Sequence, residues 1–431
     1  MSAVVNRPTN ATVSNADSIN STSEVRRSCH MLMADPPVDS NLDEPVDGAT
    51  CVCSDGSRTV GISSSALDSL ATQIASKIQQ SKATIAEWDE DGWHYTGRSY
   101  KRSALAPGQV DANRVERVLL YILALDVINF CFWPTSDTSA RHSSSSTHPE
   151  INLLEYEHLA TALRLAAQCD DKMHPGCTAE ETYAFSPRNL MNITPSNLES
   201  MLRPHLPENP PSCDGIYVIP NLNERARLLN ELGRGLLIHF GGSATALLQS
   251  CARDRERPSA RRLVDILIST FRGFRDEAID ERLGRQVCFY KRAQICVGDI
   301  WAAFGRGQRG SAFADFDDID KLTTFADYRV PQLLRQVGVL RYSPGLADCI
   351  DRKEEIVAGT LHELYIRGGT VVAVERLVAA VKVKLNDSNA DQALIDEINA
   401  TLIDWHLWQV GERLNRVGEL KPHHRTRTIF Y

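Results

Sequence analysis

Residues 388–410 read SNADQALIDEINATLIDWHLWQV, and the spacing of their apolar positions decides the fold class. Leu394, Ile395, Ile398 and Leu402 recur as they would on one face of a helix lying on a core. Ser388 and Asp391 have the spacing of a capping box, in which hydroxyl and carboxylate satisfy first-turn amides, and Gly411 suits a helix stop. The pattern predicts one helix over Ser388–Val410. Past Leu402 the stripe widens into a ring of Ile403, Trp405, Leu407, Trp408 and Val410, and Asp404 falls inside it. Leu407 and Trp408, three and four residues on, share its face. A carboxylate left unpaired there costs several kcal/mol or takes up a proton, so it calls for a partner, a raised pKa or a ligand. A structural pair with an arginine or a backbone amide answers that call as well as a reactive role does.

Helical periodicity extends outward from this stretch in both directions. Residues 114–132, RVERVLLYILALDVINFCF, predict a largely buried helix ending before Pro134, with Asp126 and Asn129 inside it. Thr194-Pro195 reads as an N-cap with proline in the first turn, residues 223–240 as a helix stopped by Gly241-Gly242, and Ser243 as the next cap. Further helices are expected at 259–274, 295–304, 325–337, 352–366 and 371–385, and strand alternation is confined to short pieces such as 285–290. The fold class is therefore mainly α, a single helical domain with a few short strands. Residues 1–62, rich in Ser, Thr, Asn, Asp and Pro, read as a disordered tail. The domain then spans 63–431, interrupted by a low-complexity loop at 134–149 and a Pro-rich loop at 204–220.

Bulk properties narrow the function. The chain has 431 residues, a net charge of -8, and no Lys/Arg run that would neutralise a duplex backbone. A stable nucleic-acid partner is not expected. Neither is a membrane, since there is no apolar run of spanning length and no basic-then-apolar leader. The eleven cysteines are scattered without CxxC pairs or zinc spacing, as suits reduced thiols in the cytoplasm. Gly305, Gly307 and Gly310 spell GxGxxG but lack the strand–turn–helix context of a dinucleotide site. Asp315, Asp317, Asp318 and Asp320 are interleaved with Phe316 and Ile319 and lack the calcium-loop glycine, so a solvated acidic loop is expected. No signature of metal or nucleophilic-serine chemistry is present.

What remains is polar residues in apolar or aromatic surroundings: Asp126 and Asn129, Tyr290-Lys291-Arg292, Phe325-Ala326-Asp327-Tyr328-Arg329, and Asp404-Trp405. Together they offer stacking faces, acceptors for ring N–H groups and a cation for phosphate, as a charged, base-like small molecule needs. For Lys291 and Arg329 an ordinary salt bridge to Asp327 or Asp299 is the alternative.

The runs VINFCFW (127–133), VCFYKRAQICVGDIW (287–301), TTFADYRVPQLLRQVGVLRYS (323–343), EIVAGTLHELYIRGG (355–369), LIDWHLWQ (402–409) and HHRTRTIFY (423–431) closely resemble the queuosine salvage protein family. The resemblance covers residues 63–431. It implies a cytosolic, mainly helical fold related to DNA glycosylases, hydrolysing queuosine 5′-phosphate to queuine and ribose 5-phosphate without metal or cofactor. It places Asp404 as nucleophile or stabiliser of the transition state, Phe325, Ala326 and Asp327 on the base, and Trp405 and Gln409 in the same pocket. Lys291 is assigned to the phosphate on chemistry alone. Two departures stand out: Gln409 replaces an acidic residue of the family, and the region before 114–132 lacks the family's base-contacting histidine. A base glycosylase acting on nucleic acid, and a non-catalytic partner in transfer RNA modification, are the competing readings.

Overall fold

The computed structural model describes residues 21–34, 59–81, 112–133, 155–173, 183–206, 219–253, 255–281, 284–304 and 314–431. Among them the chain is mainly helical. The helices are α1 (Ser21–Met33), α2 (Ser64–Ser81), α3 (Ala112–Ile128), α4 (Tyr156–Met173), α5 (Pro187–Asn192), α6 (Pro195–Leu202), α7 (Leu222–Phe240), α8 (Ala244–Ser250), α9 (Ala260–Thr270), α10 (Lys291–Phe304), α11 (Arg329–Gln336), α12 (Pro344–Asp351), α13 (Leu361–Asp387), α14 (Gln392–Glu397) and α15 (Ala400–Arg416). Two antiparallel ribbons complete it. Strand β1 (Val60–Ile62) pairs with β4 (Leu340–Tyr342), and β2 (Glu277–Asp280) with β3 (Arg285–Cys288).

Two helices organise the core. The buried residues of α3 run without a break from Arg117 to Ile128, because it packs against α4, α7 and α10 on different sides. The other is α13, whose N-terminal half is buried from Glu363 to Val374 beneath α1, α2, α11 and α15. Lys291 opens α10, where strand β3 hands the chain over to a helix packed on α3.

Several expected caps hold. Thr194 and Asn197 form a reciprocal capping box with Pro195 in the first turn, Ser243 caps α8, and Gly241 closes α7 in the left-handed region at φ 62°. Other boundaries move, each for a local reason. Helix α3 stops at Ile128 because two buried guanidinium groups take the carbonyls that end it: Arg292 donates to those of Asp126 and Val127, Arg225 to those of Ile128, Phe130 and Cys131. Cys131 then turns through φ 45° and donates its amide to the Tyr431 carbonyl at 2.8 Å. The helix expected over 388–410 is broken. Asp391 caps the short α14, the chain extends at Ile398, and Asn399 caps α15 by accepting from the Leu402 amide at 3.1 Å. Gly411 does not stop α15, which runs on to Arg416; it lets the Arg329 side chain cross the helix, since a Cβ there would lie 3.0 Å from that side chain. Helix α11 begins at Arg329 rather than Phe325, and residues 352–360 are irregular between α12 and α13.

The disorder expected over residues 1–62 fails at two places. Helix α1 buries Val25, Cys29, Leu32 and Met33, and residues 60–62 form β1. The loop at 134–149, the GxGxxG letters and most of 204–220 lie outside the described residues. The acidic segment is more structural than solvated: Asp318 is buried, accepts from Ser259 Oγ at 2.7 Å and the Ala260 amide at 2.6 Å, and so caps α9. Asp315 and Asp317 pair with Arg257 and Arg255 at the surface.

Candidate active site

Asp404 lies in the first turns of α15 and is 3% exposed. Its Oδ2 accepts from the Phe325 amide at 2.8 Å and from the Thr324 hydroxyl. Both donors belong to an irregular stretch, 322–328, that precedes α11. Asp327 Oδ1 accepts from the amides of Arg329 (2.9 Å) and Val330 (3.0 Å), so α11 starts only after Phe325, whose amide is left for Asp404. Burial pushes the Asp404 carboxyl up to about 8, with Asp327 adding to the rise, while Thr324, Phe325 and Lys291 oppose it. Two donors are not enough to offset the loss of water.

Lys291 is 4% exposed, and among the described residues its ammonium makes no ion pair. Burial lowers its pKa, and the carboxyls of Asp327, Asp126 and Asp404 pull it back up. The expected alternative of a salt bridge to Asp327 or Asp299 is therefore not what holds it. Arg329, by contrast, is structural: its Nε meets Glu412 at 2.7 Å and its Nη1 meets Gln332 at 2.6 Å. Asp126 is fully buried, and among the described residues neither carboxyl oxygen has an N–H or O–H donor. Burial and then Asp299 push it well above the usual carboxylate range.

Aromatic faces surround these charges. Trp301 and Trp405 stack with centroids 6.0 Å apart, and Gly298 between them and Phe325 has no room for a side chain: a Cβ would lie 3.1 Å from Phe325 and 3.6 Å from Trp405. Tyr328, next to Asp327, packs on Trp133 (5.5 Å) and His423 (4.7 Å), and Tyr156 meets Trp408 edge-on at 5.5 Å. Burial lowers His423 to about 3, so it stays a neutral ring.

Of the residues singled out from the sequence, Phe325, Asp327, Lys291 and Asp404 come together through the contacts and mutual electrostatics above, and Trp405 joins through Gly298. Ala326 is buried and its carbonyl accepts from Arg367 Nε at 2.9 Å, so its backbone faces the core. Gln409 is half-buried and five residues beyond Asp404, about 140° round the helix from it. Two residues that the sequence does not single out also serve the site. Thr324 supplies the hydroxyl on Asp404, and Gln294 fixes the neighbouring Thr323 by accepting its amide at 2.8 Å and donating to its hydroxyl at 2.8 Å. Both sit in quoted motifs, yet a buried Thr or Gln carries no sign of which group it bonds. Among the described residues no cluster of His, Cys, Asp or Glu could hold a metal ion, and no helix is long and apolar enough to cross a membrane.

The family model for "Queuosine salvage protein" matches residues 109–431. The chain belongs to that family. A Dictyostelium discoideum relative is 35% identical over 375 residues, covering 87% of this chain and 95% of its own. One from Sphaerobacter thermophilus is 37% identical over 316 residues, 73% of this chain and 82% of its own. One from Schizosaccharomyces pombe is 28% identical over 366 residues, 84% and 90%. All three bear the name queuosine 5′-phosphate N-glycosylase/hydrolase. The family match begins shortly before α3, so α1 and α2 precede it.

Proposed function

We propose that this protein is a hydrolase that cleaves the N-glycosidic bond of queuosine 5′-phosphate, releasing queuine and ribose 5-phosphate in the cytoplasm. The names of its full-length relatives support the reaction, and one observation carries the site: Asp404 is a dry carboxyl held by two donors beside a buried lysine and a tryptophan stack. Breaking the bond sends its electron pair to the base and leaves positive charge on the ribose. An ionised Asp404 stabilises that charge in a water-poor pocket, and water then adds to the sugar carbon while the base takes up a proton. Trp405 and Phe325 supply faces for the ring. Asp327 accepts from its donor edge or meets the cationic amine arm, and the Lys291 ammonium takes the phosphate. The net charge of -8 and the site's burial favour a free nucleotide over a polynucleotide.

The test is incubation of the purified protein with queuosine 5′-phosphate and mass spectrometry for free queuine. Release at a rate far above the no-enzyme control is expected. Folded protein that releases none refutes the proposal.

A further inference from the structure

Helix α1 lies outside the family match, yet it touches the segment that serves Asp404. It is seated closely: at Gly368 and Gly369 of α13 an added Cβ would lie 3.0 Å from Leu32 and 3.4 Å from Met33. From this seat Arg26 reaches across. Its Nε pairs with Glu375 of α13 at 2.5 Å, its Nη1 donates to the Lys321 carbonyl at 2.5 Å, and its Nη2 donates to the carbonyls of Leu322 (2.8 Å) and Asp320 (3.4 Å). Those three carbonyls end the single 3₁₀ turn Ile319–Lys321. Thr323 follows, held by Gln294, and then Thr324 and Phe325, the two donors to Asp404.

We propose that Arg26 is a positioning residue for the reaction, and α1 an intramolecular clamp: by gripping the carbonyls of 320–322 it keeps the Thr324 hydroxyl and the Phe325 amide aimed at Asp404. A guanidinium suits this work because its planar fork donates to several acceptors in one fixed geometry, which an ammonium cannot do. The anchor is independent of the site. The buried face of α1, with Val25, Cys29, Leu32 and Met33, packs on α13, so the clamp transmits the rigidity of α13 to a stretch that is otherwise irregular backbone. Releasing it lets the two donors drift, and Asp404 then loses the hydrogen bonds that favour its ionised form.

The inference rests on the proposed reaction, so its test has two readouts, one of them free of activity. In the full-length protein Arg26→Met is compared with Arg26→Lys and Glu375→Gln. Arg26→Met is expected to lower kcat roughly tenfold with KM changed less than about threefold, and to move the acid limb of the pH profile upward. Amide exchange at residues 323–325 should accelerate at least roughly tenfold while the amides of 371–374 are unchanged. Arg26→Lys should fall between Arg26→Met and the wild type, and Glu375→Gln, which leaves the three carbonyl contacts in place, should keep the wild-type profile. A wild-type protein that releases no queuine sinks the reaction and leaves the exchange arm to judge the clamp. Unchanged exchange at 323–325 in Arg26→Met, or a fall in melting temperature with an unmoved acid limb, overturns it. If Arg26→Met does not fold, the Arg26→Lys profile decides on the same terms.

Discussion

Replacing Asp404 with Asn should make the protein inactive and more stable, and the gain should grow with pH. Asp404 ionises near 3.8 in an unfolded chain and at about 8 in the folded one, where burial is the main cause. Between those values the folded state holds the proton and the unfolded state has lost it. Stability therefore falls as pH rises across that window, and the loss is complete above pH 8. Held from 3.8 to about 8, the proton is worth on the order of 6 kcal/mol at full ionisation. Of this, ~4 kcal/mol develops between pH 5 and pH 8, which we halve to about 2 kcal/mol for relaxation and water entry. Asn has no charge to desolvate, and its Oδ1 can accept from Thr324 and Phe325 as Asp404 does now.

The assay is thermal or urea unfolding of both proteins at several pH values from 5 to 8. The variant's advantage should increase by about 2 kcal/mol across that range, a few degrees in melting temperature for a chain of this size. Turnover should fall roughly a thousandfold or more, as expected when a charge aimed at the transition state is removed. A stability difference that is flat with pH, or a variant less stable than wild type at pH 8, refutes the account of Asp404 as an acid held in a dry pocket.

Asp327→Asn and Lys291→Met should move the acid limb of kcat/KM in opposite directions. Asp327 raises the Asp404 pKa, so its removal shifts the limb down in pH; Lys291 lowers it, so its removal shifts the limb up, and a shared direction would contradict the arrangement. Gly298→Val places methyl groups against Phe325, Thr401 and Trp405, and should cost about 1–3 kcal/mol in unfolding free energy and raise KM; unchanged values for both would show that the ring faces are not confined there. Arg225→Met leaves the carbonyls of Pro220, Ile128, Phe130 and Cys131 without their buried donor, and should cost about 3 kcal/mol or more by urea unfolding, against roughly 0.5 if water replaces the guanidinium freely.

The ring of apolar residues after Leu402 marks Asp404 as buried on the strength of sequence alone, because periodicity reports enclosure directly. Its partners leave no such mark. Thr324 and Phe325 come 80 and 79 residues earlier and meet Asp404 only through tertiary packing. The start of α11 is hard to place because Phe325–Tyr328 has helix-compatible letters, while the deciding contact is the Asp327 carboxylate on two amides ahead of it. The break before α15 has a local sign, Asn399 ahead of Ala400, which the continuous apolar stripe masks. Helix α1 is hidden differently. Val25, Cys29, Leu32 and Met33 do recur at helical spacing, but four residues in a Ser- and Asn-rich stretch are too few to outweigh its composition, and what stabilises them is α13, far away in the chain.

On its own the site is short of positive charge. Asp404, Asp327 and Asp126 all have pKa values raised by burial, and Lys291 is the cation they share. Without substrate Asp404, raised to about 8, answers that imbalance by holding its proton, which keeps it mostly in the form unable to stabilise a cationic sugar at neutral pH. A substrate carrying an ammonium on its base arm alters the balance as it binds, because a positive charge among buried carboxyls favours their ionised forms. Binding then lowers the Asp404 pKa, and the acid limb of kcat should lie at lower pH than that of kcat/KM. An analogue with the same ring and no amine should bind less well and show the two limbs converging. The carboxyl is thus charged chiefly in the loaded site, where the reaction needs it.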